Sequence, residues 1–285
     1  MPDRSDVIYY YDGTFEGLLC CVFESYEKKE IPADILLCDT AQTTFLPVKE
    51  IEAEPDKAAR VLTSIPKKIG SEALAFVQDA FLTCLPGKEK QILLFLRLGF
   101  RYGQPVMNML TNDVVNTLSK AVRSLKNESH FMKEFIRFSD FQGALVAEIE
   151  PKNFVLPYLT RHFCERYPEE KFLIYDHTHG MALIYQNCLP EILAVENLEM
   201  PEPDENELFF RNLWRMFYNT IEIKSRHNPR CRMSHMPKRY WKYMTEFGKM
   251  ERVLPKRESI APVQPGLENR YALPPCCRPE EKAKT

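Results

Sequence analysis

Glycine is scarce in this chain: 10 of 285 residues, half the usual ~7%. Neither G-x-G-x-x-G nor G-x-x-x-x-G-K-[ST] occurs, so the common phosphate-wrapping loops are excluded. Long hydrophobic runs are lacking as well. The most apolar stretch, 92–100, is broken by Arg97 and falls well short of ~18 residues, so no membrane association is expected. The first residues lack the basic-then-apolar run of a secretion signal. The nine cysteines are therefore expected to be reduced thiols of a cytoplasmic protein. No two of them stand as C-x-x-C, which argues against zinc ribbons, redox pairs and iron–sulfur clusters; no metal or cofactor is expected. Nor does one sign of charge prevail: 38 Lys+Arg against 40 Asp+Glu give −2, which is not the balance of a uniformly basic coat protein.

What remains is a chain able to fold around a core, with 45% hydrophobic and 27% charged residues. The segment 7–12, VIYYYD, reads as a strand ending in an Asp-Gly turn. Phe15, Leu18, Leu19, Val22, Phe23 and Tyr26 recur at helical spacing and predict a helix over 14–28, capped by Thr14 or Asp12. A short strand follows at 35–38. Further helices are expected near 55–65, 70–84, 88–101 and 113–125, punctuated by Pro66 and Pro86-Gly87. After about residue 130 the period changes. Residues 131–151 read as a hairpin turning at 139–143, 154–167 as a helix, and 171–186 as a second hairpin turning at 176–180.

The expected class is α+β: a helical N-terminal half with short strands, an antiparallel β-β-α-β-β block, and a helical, basic C-terminal segment. The corresponding division is 1–130, 131–254 and 255–285. The last part carries six prolines within 255–279 and is expected to be disordered.

Charge is concentrated in one place. Arg211, Arg215, Lys224, Arg226, Arg230, Arg232, Lys238, Arg239 and Lys242 face a single acid, Glu222, giving +8 over 211–242 and −10 elsewhere. Trp214, Phe217, Tyr218, Tyr240, Trp241 and Tyr243 are interleaved with them. Cationic groups displace the counterions of phosphates, and flat rings stack on unpaired bases. The segment thus points to an anionic partner. The plainer reading puts the aromatics in the core and the charges on a solvated rim.

YYYDGTFEGLLCCVFES (9–25), RFSDFQGALVAEIEPKNFVLPYLTRHFCERYPEEKFLIYD (137–176) and LWRMFYNTIEIKSRHNPRCRMSHMPKRYWKYMTE (213–246) resemble a bacterial family described as DNA metabolism or repair proteins, built on a domain of formally unknown function. Such proteins typically accompany a radical-SAM protein assigned to DNA modification or repair. In some bacteria they are fused ahead of a uracil-DNA-glycosylase domain, a segment not expected within these 285 residues. The resemblance extends to about Leu254. Its specific parts fall on Asp12, Gly13, Phe15, Glu16 and Gly17, then on Trp214, Asn228, Pro229, His235, Pro237, Lys238, Arg239, Tyr240 and Trp241. It implies DNA and a radical-SAM protein as partners. The chain has no C-x-x-x-C-x-x-C motif, so radical chemistry would belong to that partner.

The expected DNA contacts are Arg211, Arg215, Arg230, Arg232, Lys238 and Arg239 on phosphates, with Tyr240 or Trp241 stacked on a base. His235 is a candidate phosphate donor or general acid, against the plainer reading of an imidazole satisfied at a helix start. Asp12 is a candidate catalytic carboxylate, against that of a helix cap, and Glu16 a candidate ion-pair partner for the basic segment. His177 and His179, like Asp140 and Asp176, fall in expected hairpin turns, where metal or nuclease chemistry is the lesser reading. Cys276-Cys277 reads as an incidental thiol pair. Three functions follow: a DNA-binding accessory protein, a DNA-processing enzyme (nuclease or base-processing), and a protein–protein adaptor without DNA binding.

Overall fold

The first strand, β1 (Ile8–Tyr11), is buried along its whole length, as suits a short apolar run at the centre of a sheet. It lies between β2 (Asp34–Leu37) and β3 (Val48–Glu50) and is parallel to both. The computed structural model describes residues 6–38, 45–196, 198 and 200–247, and of Lys224 the backbone only. The proline-rich segment expected from 255, with Cys276 and Cys277, lies outside the described residues.

After β1 the chain turns at Gly13, whose φ of +83° favours glycine, into α1 (Phe15–Glu27). Thr14 is the N-cap: its Oγ1 accepts from Gly17 N at 2.9 Å, while Asp12 Oδ1 accepts from Thr14 N at 3.0 Å. A Cβ on Gly17 would stand 2.1 Å from Asp12 Oδ1, so this entry turn needs glycine there. Helices α2 (Pro55–Lys68), α3 (Ser71–Phe81) and α4 (Lys88–Tyr102) complete the first core with Tyr11, Leu18, Ile65, Phe95 and Leu96. Pro66 does not end α2 as expected; it lies inside the last turn, and Ile69 N still reaches Ile65 O at 2.8 Å.

Helix α5 (Asp113–Phe135) runs ten residues past its expected end at 125. Leu118, Val122, Leu125, Ser129 and Met132 are buried at helical spacing along it and carry it through. Its first half packs in the first core and Leu125 and Met132 in a second, so one helix joins the two.

The second core lies against a sheet ordered β4 (Ser139–Phe141), β5 (Ala144–Ile149), β6 (Lys171–Asp176), β7 (Met181–Gln186), β8 (Leu189–Ala194). The hairpin expected at 171–186 forms; the one expected over 131–151 is shorter, because α5 takes the chain to 135 and β4 stands where the turn was placed, the turn itself falling at Gln142-Gly143. The block is mixed rather than antiparallel, however, because β5 and β6 pair in parallel. Between them α6 (Leu156–Arg166) carries the chain back over the sheet, so β6 starts beside the start of β5. Strand β8 was not foreseen. Asn187 and Cys188, at φ 53° and 63°, form the tight turn that leads into it. Its Pro190 and exposed residues mark an edge strand whose sequence has little hydrophobic pattern. Cross-strand rows Leu145–Phe172–Tyr185 and Ala147–Ile174–Leu183 face Leu156, Leu159 and Phe163 of α6 in this core.

The C-terminal part comprises α7 (Glu205–Thr220) and α8 (Pro229–His235). Within the C-terminal segment expected to be helical, the run after Pro237 is a 3-10 stretch, Lys238–Tyr243: Pro237 O accepts from Tyr240 N and Trp241 O from Met244 N. Spacing of three residues per turn aligns Tyr240 with Tyr243 and Trp241 with Met244.

Candidate nucleic-acid interface

Helix α7 is seated by its polar side. Glu207, Arg211 and Arg215, four residues apart, share one face. Glu207 accepts from Asp140 N at 3.1 Å and from Arg211 Nε at 2.6 Å. Arg211 also donates to Ser139 Oγ at 2.7 Å. Arg215, 6% exposed, donates to Thr245 O at 2.6 Å and Asn212 Oδ1 at 3.1 Å. Two expected phosphate contacts thus hold the helix to β4 and to the segment around Thr245. The apolar side, Phe209, Leu213, Phe217 and Ile221 with Phe210 and Met216, faces solvent.

The residues after α8 are anchored in turn. Tyr240, 6% exposed, fits against Phe131 and Phe135 of α5 at ring distances of 5.8 and 5.4 Å, so its ring has no open face for a base. Glu246 receives Arg137 at 2.7 Å and Trp214 Nε1 at 3.3 Å. Arg239 reaches the buried carboxylate of Glu128 at 3.1 Å. Lys242 meets Glu150 at 2.5 Å. That hydrogen bond, with a second to Tyr243, pushes the ammonium of Lys242 above its ordinary range and pulls the carboxyl of Glu150 down.

The +8 of this segment is therefore partly balanced by carboxylates distant in sequence. Arg226, Arg230, Arg232 and Lys238 have no carboxylate within ion-pair reach among the described residues. Arg230 and Lys238 are exposed. The guanidinium of Arg232 lies 5.3 Å from the Trp241 ring and 5.7 Å from that of Phe247, and the Lys238 ammonium lies 5.9 Å from Trp241. Trp241, half-buried, stacks on Phe247 at 4.2 Å. Arg232 Nε is buried with no hydrogen-bond partner among the described residues. Arg232 and Lys238 thus meet one indole, with Arg230 exposed on the same short helix as Arg232.

The catalytic candidates are not brought together. Asp12 bonds within its own turn as a capping residue, whereas His235 is exposed at the last turn of α8. No hydrogen bond or ion pair joins them. Glu16 makes no ion pair among the described residues. His177 and His179 sit in the β6–β7 turn, bound to Glu148 at 2.8 Å and to Asp176 at 2.6 Å. Asp176 also accepts from Thr178 N and His179 N, closing the turn. No group of three potential metal ligands occurs among the described residues.

Two features escaped the sequence reading. Glu128 is buried in the middle of α5 and accepts from Lys152 N, Asn153 N and Asn153 Nδ2 at 3.1, 2.8 and 2.6 Å besides Arg239. Its only sequence signal was an acid at a core position of the helix. The other is a groove of about 910 Å³ along α1 and α2, lined by Phe23, Tyr26 and Phe100 and by Arg60, Lys67 and Lys68, with Arg60 over the Phe23 ring and Lys68 over that of Phe100. Nothing local in the sequence marks it.

Fold and surface together define a two-core, mixed α/β protein whose C-terminal basic segment is locked onto the second core, leaving a few cations open. The family model described as a domain of unknown function, DUF4130, matches residues 86–246, which run from α4 to the segment anchored by Glu246. The chain belongs to this family. No curated protein matches it.

Proposed function

We propose that this chain is a DNA-binding accessory protein of DNA metabolism. It holds the phosphate backbone with Arg230, Arg232 and Lys238 and serves a radical-SAM enzyme that supplies the chemistry. The observation supporting this reading is that these cations are left without carboxylates, although the rest of the chain is strongly acidic. Like charges near one another repel unless an anion joins them. Trp241 is the ring nearest Arg232 and Lys238 and takes the stacking role. Arg211, Arg215 and Tyr240 act as anchors of the surface rather than contacts. The partner enzyme follows from the family resemblance.

Fluorescence anisotropy with single- and double-stranded oligonucleotides across a salt series tests the reading. Affinity should fall steeply with salt. Replacing Arg230, Arg232 and Lys238 together by Gln should lower the log–log slope by about 0.9 per lost contact on duplex. Because Arg232 also packs on Trp241, the exposed pair Arg230→Gln and Lys238→Gln serves as the variant least able to disturb the fold. Binding indifferent to salt, or unchanged in folded variants, would overturn the proposal.

A further inference from the structure

Helix α7 is inverted relative to an ordinary surface helix. Its charged stripe is docked, and its apolar stripe is open, with side chains from 39% exposed at Trp214 to 62% at Phe210. At roughly 100 Å² apiece, these side chains and Ile223 just beyond expose on the order of 800 Å², above the ~300–600 Å² of the largest patch on a typical monomer. That is also about the area each partner contributes to a standard interface.

We propose that two copies of the chain pair through this face, α7 against α7, antiparallel, with Leu213 nearest the twofold axis. The stripe itself suits a copy of itself. Between residues 206 and 221 its only polar members are Asn206 and Thr220, so a charged partner surface would find nothing to pair with, while Phe209, Leu213 and Phe217 repeat symmetrically about the centre. The ends fix the orientation. The approach to α7 carries Glu202, Asp204 and Glu205, and the chain just beyond it carries Lys224 and Arg226 against the single acid Glu222, a basic balance. An antiparallel pair sets acid beside base at both ends and opposes the two helix dipoles, whereas a parallel pair would set like beside like. Such an interface is isologous and closes on itself, so it stops at two copies.

Sedimentation velocity of the full chain without nucleic acid, over a wide concentration range, tests this. A dimer that dissociates on dilution is expected. Leu213→Glu, which places two carboxylates at the axis, should weaken it by more than about a hundredfold, with circular dichroism and melting unchanged because the side chain is exposed in the monomer. Leu213→Met should leave the dimer intact. Glu202→Lys or Arg226→Glu alone should weaken association by up to about fivefold, and the two together should restore it. A chain that remains monomeric throughout, or Leu213→Glu sedimenting as the parent does, overturns the pairing. Failure of the double reversal to restore overturns the antiparallel orientation. None of these readouts involves DNA, so this proposal and the DNA-binding one can fail separately.

Discussion

Helices α5 and α7 are both amphipathic, and they are seated in opposite ways. The first turns Leu118, Leu125 and Met132 inward, and its one deeply buried acid, Glu128, is saturated with donors. The second turns Glu207 and Arg215 inward and leaves its phenylalanines outside. An apolar stripe therefore indicates that a surface will be covered, but not by what. For α5 the cover is the same chain. For α7 the nearby chain offers Asp140 N, Ser139 Oγ and Thr245 O, a polar seat that only a polar stripe fits.

The contrast is sharpest in core truncations. Leu125→Ala should cost about 2–5 kcal/mol in denaturant unfolding, while Leu213→Ala, measured dilute enough to keep the chain monomeric, should stay within about 0.5 kcal/mol of the parent. Equal costs would mean that α7 does not sit as described. The polar anchors come next. Glu128→Ala, which strands Arg239 and Asn153, should cost about 3 kcal/mol, and Arg215→Ala about 2 kcal/mol, by the same measurement. An Arg215 variant as stable as the parent would detach α7 from the second core. The caps should be alike: Asn112→Ala on α5 and Asp204→Ala on α7 each remove a bond to a first-turn N–H, worth about 1 kcal/mol in thermal melting.

The smallest effect falls in the first core, away from α7, and serves as a control. Burial disfavours ionisation of Glu24, but the Lys49 ammonium 2.5 Å away outweighs it and holds the carboxyl below its ordinary range. Between that lowered value and the ordinary ~4.3, the unfolded chain binds more protons than the folded one, so stability rises with pH there. The contribution is complete above the ordinary value and is lost as acid carries the solution down through the lowered one. Glu24→Gln should flatten this acid limb in melting curves followed from neutral pH downward, with no change in α7 docking.

Much of the fold was legible because it is written locally. The spacing from Phe15 to Tyr26, the Thr14 cap, the turn at 176–180 and the helix through Leu159 and Phe163 each depend on neighbours within a dozen residues. The parallel β5–β6 pairing was not, since two short strands and a helix fit either direction until the crossover is packed. Nor was the seat of Arg211 and Arg215. Helical spacing sets them on one face with Tyr218 and sets Leu213 and Phe217 toward another. Which face is buried depends on residues 139, 140 and 245, far along the chain. The same distance hid the neutralisation of Arg239 by Glu128 and of Lys242 by Glu150 and the docking of Arg215 on Thr245 O, so that of the nine cations Arg226, Arg230, Arg232 and Lys238 are the ones that neither pair with a carboxylate nor anchor α7 among the described residues.

Tyr240 and Met244 fill the second core from residues translated after every strand and long helix of that core has been made. A nascent chain emerging from the ribosome thus holds an unplugged cleft beside Phe131 and Phe135 until residues 240–244 have emerged, which is when aggregation is most dangerous. A stop codon or a proteolytic cut upstream of residue 240 would not give a shorter working protein. It would leave that cleft unsealed.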